Sequence, residues 1–197
     1  MNRRKFDFLL SIGGLVLAAI LLVGGFVLQS NANFARGYVA DQLGAQKITF
    51  KAADKLSAEE SEQQCLIEYA GQDLTTGKQA ECFANHYIGL HMEKIAGGKT
   101  YSELGTVQSG LKAKVQKDPS DKVAAAELEK VTAQRDSLFK GDALRSMLLT
   151  SYGFSELGEK AGQGAVVAFS LSGVLVLLSG AGLVHAATTR KDKKVLA

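Results

Sequence analysis

Two stretches of this sequence contain no Asp, Glu, Lys or Arg at all, residues 8–28 and 164–187. An uncharged helix of some 20 residues is about 30 Å long, the thickness of the hydrocarbon core of a bilayer. Both stretches are therefore predicted to be transmembrane helices. No ionisable residue lies near the middle of either, so the usual marker of an ion path or proton relay is missing. His185 falls in the last turn of the second stretch, at headgroup level. Proline is nearly absent, Pro119 being the only one, and there are two cysteines, Cys65 and Cys82. They are too far apart to form the Cys-x-x-Cys pair of a tuned redox thiol. No Ser, His and acid combination stands out by its spacing, and paired carboxylates such as Glu59-Glu60 sit in charged runs and read as solvated surface. Gly97-Gly98-Lys99-Thr100 lacks the earlier glycine of a phosphate loop, that position being Glu93, and reads as a helix stop followed by a helix start.

Charge is distributed more informatively than its overall +3 suggests. Arg3, Arg4 and Lys5 precede the first apolar stretch, and Arg190, Lys191, Lys193 and Lys194 follow the second. Basic residues beside span ends favour the cytoplasm, and two spans allow both clusters to be there. The reading is a cytoplasmic tail over residues 1–7, spans at 8–28 and 164–187, an extracytoplasmic domain over 29–163, and a second tail over 188–197. The lipid bilayer is the partner this implies, and the basic excess belongs to membrane surface rather than to nucleic acid. A cleaved signal peptide is the rival for the first stretch, since Ser30-Asn31-Ala32 fits a cleavage site. A 21-residue apolar run exceeds the roughly 7–15 of a signal sequence, so an uncleaved anchor is expected. Within the spans, Gly14 with Ala18, and Gly164 with Ala168 and Ser172, have the small-xxx-small spacing that lets helices approach, either each other or a second copy.

Between the spans the pattern is mostly helical. Phe34 and Tyr38 continue helical spacing outward from the first span to about Gly44. Residues 47–50 read as a short strand. Ser57 with Glu60, Thr76 with Gln79, and Thr100 with Glu103 each have capping-box form. They predict helices from 57 to about 70 (with 64–69 readable as a strand), from 76 to about 96, and from 100 onward. The second would carry Ala80, Phe83, Ala84, Tyr87, Ile88, His91 and Ile95 on one apolar face and stop at Gly97-Gly98. Asp118 as N-cap and Pro119 at the first helical position would open a further helix, completing a hairpin, with Arg135 interrupting a stripe of Ala124, Leu128, Val131 and Leu138.

In an oxidising compartment Cys65 and Cys82 favour a disulfide, with free buried thiols or a metal role as alternatives. Cys82 and His86 share a helix face, and Glu93 could join them as a third ligand, the weak candidate for a metal site. His86 and His91 are about 140° apart around a helix and form no metal-binding pair. No cofactor is expected and no catalytic residue is assigned.

Gln42-Leu43 with residues 47–50, residues 95–105 (Ile-Ala-Gly-Gly-Lys-Thr-Tyr-Ser-Glu-Leu-Gly), and Leu144-Arg145 through 149–154 resemble a group of uncharacterised two-span membrane proteins common in actinobacteria. The resemblance covers most of the chain and implies a plasma-membrane protein of a Gram-positive-type envelope. It implies no activity and no site residue. In shorter members the second span follows soon after the Leu-Arg motif, whereas Glu156 to Lys160 intervene here. The expectation is an all-α membrane protein, with two transmembrane helices flanking a mostly helical extracytoplasmic domain. It is multi-pass, has both termini cytoplasmic, and serves as a non-enzymatic interaction protein for an envelope partner or a second copy. Extracytoplasmic ligand or metal sensing is the alternative, and an envelope enzyme stands third.

Overall fold

A computed structural model of the chain describes residues 2–190, and among these all regular structure is helical. The α-helices are α1 (Arg3–Ala45), α2 (Ala58–Ser61), α3 (Gln64–Glu68), α4 (Gly77–Cys82), α5 (Gly89–Ile95), α6 (Tyr101–Lys117) and α7 (Lys122–Thr188). A short 3-10 turn covers Ala53–Lys55, and a π-helical segment, Phe83–Ile88, joins α4 to α5. The chain forms two compact units, Met1–Gly37 with Glu156–Ala197, and Tyr38–Ser155.

In the first unit the amino-terminal part of α1 and the carboxyl-terminal part of α7 run antiparallel. His185 Nδ1 meets Asp7 Oδ2 at 2.9 Å, Ser172 Oγ donates to the Ala18 carbonyl at 2.8 Å, and the Phe26 and Phe169 rings meet edge to face at 5.2 Å. Both helices are long and apolar enough to cross a membrane. Their contact is made of small residues. Ser11, Ala18, Gly25 and Ala32 are buried on α1, and Gly158, Ala165, Ser172, Ser179 and Ala186 on α7. Each follows the last by seven positions, the period that keeps two helices facing each other as they supercoil to the left. The four-residue spacing expected from the sequence is part of this seam: Gly14 does lie against Ser179 and Gly164 against Leu28, but the repeat is seven. At Gly158 the close approach is mandatory, because a Cβ there would lie 2.6 Å from the Ala35 Cβ. Packing of this kind continues past the uncharged stretches, so the unit boundaries fall at Gly37 and Glu156 rather than at the ends of the predicted spans.

The second unit is built on a core of Phe50, Leu66, Leu74, Cys82 and Ala84, with Val39 and Leu43 from α1 and Leu148 from α7. Residues 47–50 form no strand. Lys47 takes a left-handed φ of 52°, and Thr49 makes only an isolated antiparallel bridge with Asp73, flanked by Phe50 N–H to Gln72 O at 2.9 Å and Leu74 N–H to Ile48 O at 2.8 Å. The helix expected from 57 to 70 breaks in two. Ser57 and Glu60 form their capping box, but Gln63 is extended (φ −90°, ψ 102°) before α3 begins. Thr76 with Gln79 caps α4 in the same way. The helix that follows does not stay α-helical. In the π segment the hydrogen bonds reach one residue further, which rotates everything after it relative to a 3.6-residue face. His91 packs edge-on against Tyr87 but keeps 42% of its side chain exposed and pairs with Glu60, correcting its assignment to the core. Gly97 and Gly98 take φ of 62° and 79°, and Gly98 N–H bonds the Glu93 carbonyl at 2.8 Å, closing the helix end as expected.

α6 and the start of α7 form a hairpin around Leu104, Leu111, Val131 and Leu138. Its turn differs from the expectation. Asp118, held extended by the proline after it (φ −134°, ψ 92°), ends α6, and its carboxylate accepts from Ser120 N–H and Oγ. The cap of α7 is Asp121, whose Oδ1 accepts from Ala124 N–H at 2.9 Å. Arg135 does not simply interrupt the stripe. It stacks on the Tyr101 ring at 4.0 Å and donates to Gln108, which in turn donates to Thr132 at 2.7 Å. From Lys122 to Thr188 the helix has no break at Leu144, where the composition changes.

Candidate functional site

Two groups of polar residues in the second unit are candidates for chemistry. The first begins at the Ser57 capping box. The fourth residue of such a box normally reaches back over solvent-exposed backbone. Here it is Glu60, whose side chain is wholly buried. Its Oε1 accepts from Lys51 Nζ at 2.8 Å and lies 3.1 Å from His91 Nε2, and its Oε2 accepts from Ser57 N–H at 2.8 Å and from Lys51 at 3.0 Å. Lys51 also lies over the Tyr87 ring, 5.2 Å from its centre, and the His91 ring stands edge-on to Tyr87. Burial pushes the Glu60 carboxyl up. The Lys51 and Ser57 hydrogen bonds and the charges of Lys51 and His91 outweigh it and hold the group below the ordinary carboxylate range. The same hydrogen bond to Glu60 raises Lys51 against the effect of its own burial. A carboxylate hydrogen-bonded by Lys51 and Ser57, faced by His91 and held ionised is poorly suited to general acid–base work near neutral pH, which needs a carboxyl moved upward. The arrangement fastens the segment at Lys51 to α2 and α5, and Lys94 with Glu59 makes a second ion pair beside it.

The second group surrounds a cleft of about 220 Å³. Gly141 lets α5 close onto α7, since a Cβ there would lie 2.8 Å from Met92 Sδ. The π segment offers Asn85, α5 offers Glu93, and the loop and helix start after Gly98 offer Lys99, Thr100 and Tyr101. α7 contributes Leu138, Asp142 and Arg145. Glu81, Asn85 and Arg145 form a chain. Asn85 Nδ2 donates to Glu81 Oε1 at 2.7 Å, and Arg145 Nη2 donates to Asn85 Oδ1 at 2.9 Å. Arg145 Nε is buried and has no hydrogen-bond partner among the described residues. Wide π turns recur at functional sites because they re-aim one side chain out of the helical pattern.

The residues singled out from the sequence are placed as follows. Cys65 and Cys82 are joined, with S–S at 2.00 Å and Cα–Cα at 6.0 Å. Cys82 therefore supplies no thiolate, and the Cys82–His86–Glu93 metal candidate loses its first ligand. His86 turns instead to Gln63, Nδ1 to Oε1 at 2.7 Å, while Glu93 lines the cleft. Among the described residues no three His, Cys, Asp or Glu side chains gather as a metal site. Arg3, Lys5 and Arg190 are exposed and Arg4 half-buried. Lys191, Lys193 and Lys194 lie outside the described residues. Asn85, Asp142 and the burial of Glu60 were missed by sequence reasoning. The cleft unites the Gly-Gly-Lys-Thr-Tyr and Leu-Arg blocks, which spacing alone could not bring together. Comparison of the chain with protein-family models, with curated proteins and with solved structures finds no match.

Proposed function

We propose that the protein is a two-span plasma-membrane protein with both termini in the cytoplasm, whose Tyr38–Ser155 unit is an extracytoplasmic, non-enzymatic interaction module. The polarity of the first unit carries the reading. Its seam is Ser, Gly and Ala, and its outer surface within residues 8–28 and 164–187 holds nineteen exposed large apolar side chains. Left in water, they would forgo a transfer free energy on the order of 20 kcal/mol that burial in hydrocarbon supplies. In lipid that cost disappears, and close packing of small residues is the normal way two helices associate. The register agrees: the uncharged stretches, delimited separately, face each other end to end, Leu28 against Gly164 and Asp7 against His185. Ser30-Asn31-Ala32 lies inside α1 with Ala32 buried, which favours an anchor that stays on the chain.

The sidedness follows from Arg3, Arg4 and Lys5 with the basic residues after Thr189, and the Cys65–Cys82 bridge suits an oxidising exterior. The resemblance to two-span actinobacterial proteins fits the same placement. The role as a binding module for an envelope component or a second copy rests on helical surfaces joined to an anchor. Single cysteines test the topology. An impermeant maleimide should label Ser109→Cys in intact cells and Thr188→Cys only after permeabilisation; the opposite pattern, or equal labelling, overturns it. Purification in mild detergent that returned only a monomer of this chain would count against the interaction role. The charged cleft favours ligand binding as the second reading.

A further inference from the structure

We infer that the cleft between α5, the start of α6 and α7 binds a small zwitterion of the α-amino-acid class. At about 220 Å³ it is smaller than the ~300–1,000 Å³ of sites for drug-sized ligands, which restricts it to a small molecule. Its walls carry both signs of charge: Lys99 and Arg145 on one hand, Glu93 and Asp142 on the other. An anion alone would face two carboxylates, and a cation alone would face an ammonium and a guanidinium. A molecule with its own ammonium and carboxylate meets both. Arg145 is the carboxylate partner. Its Nη2 is fixed by Asn85, itself fixed by Glu81, while its Nε is buried with nothing to accept its proton. A guanidinium matches a carboxylate in plane and spacing, and the bond to Asn85 presets its orientation. Glu93 and Asp142 line the same cleft and are the acidic groups that an ammonium would meet there. The π turn that brings Asn85 to the cleft would be an unrewarded irregularity in a helix built only to pack. The inference holds on whichever side of a membrane the unit lies.

The test is calorimetric titration of the full chain in detergent with individual α-amino acids, with acetate and methylammonium as single-charge probes. At least one amino acid is expected to bind, with acetate and methylammonium weaker by about tenfold or more. Asp142→Asn and Lys99→Gln should each weaken it by about tenfold while leaving the melting temperature of the unliganded protein unchanged. Arg145→Lys, which keeps the charge and loses the fork, should weaken it as well. No heat from any amino acid at about 10 mM overturns the inference, since even a ~1 mM site would then be mostly filled. Binding that survives both surface variants, or acetate binding as tightly as the amino acid, overturns it equally.

Discussion

Replacing Glu60 by Gln keeps the shape of the side chain and removes its charge. The magnitude follows from what surrounds it. In the native protein one carboxylate, with no exposed surface, accepts from Lys51 and the Ser57 amide and pairs with His91. Breaking a fully buried ion pair costs about 3–5 kcal/mol, because a charge is left stranded. Lys51 keeps 37% of its side chain in solvent and can be rehydrated, so the cost belongs below that range, at about 2–3 kcal/mol. The assay is built into the sequence: all five tyrosines fall between Tyr38 and Tyr152 and tryptophan is absent, so near-ultraviolet tyrosine dichroism of the full chain reports the second unit alone. For a unit of this size the expected loss lowers its melting temperature by about 10 °C at pH 7. The acid limb supplies the sign. Glu60 is held below its ordinary value of 4.5, so its contribution is complete above that pH and is lost as pH falls through the lower folded value. The gap between native protein and Glu60→Gln should therefore be constant down to about pH 5 and close below it. A gap under about 0.5 kcal/mol at pH 7, or one that persists unchanged through the acid limb, would rule out a stabilising role for the ionised Glu60.

Two further outcomes are expected. Reduction of the Cys65–Cys82 bridge should add two hydrogens to the mass and lower the tyrosine-monitored stability by about 3 kcal/mol, the loop-closure value for a separation of 17 residues. Gly158→Val should separate the helices of the first unit at a cost of about 1–3 kcal/mol, because its Cβ meets another Cβ rather than a flexible side-chain end. Oxidative cross-linking of Ala18→Cys with Ser172→Cys, efficient in the native background, should then fail.

What could be read from the sequence was what is decided locally. The uncharged stretches, the three capping boxes and the glycine pair that closes α5 depend on residues within a few positions of one another, and each has a counterpart in the structure. The misplacement of His91 shows where such reading ends. A π turn, which no composition announces, lies just before His91, whose partner Glu60 comes from another element. Asp118 and Pro119 had the residue types of a helix start, but the proline's effect on the residue before it ended α6 first. Glu60 was visible as a capping residue and invisible as a buried one, because its partners Lys51 and His91 come from segments that only tertiary packing brings near. The cleft was illegible for the same reason: Asn85, Lys99 and Arg145 belong to separate elements.

The seven-residue seam of the first unit has a consequence for how substitutions would be tolerated. On the membrane-spanning reading proposed above, one large apolar side chain could replace another around most of each helix at little cost, since lipid has no fixed shape to match. At Gly158 an added Cβ would meet Ala35, and Ala18, Ala32 and Ala165 are buried on the same seam, so only the smallest side chains fit. A saturation scan of α1 and α7 would therefore show intolerance returning at every seventh position. That rhythm would come from steric fit between two helices and would mark no ligand, however much it resembled the footprint of one.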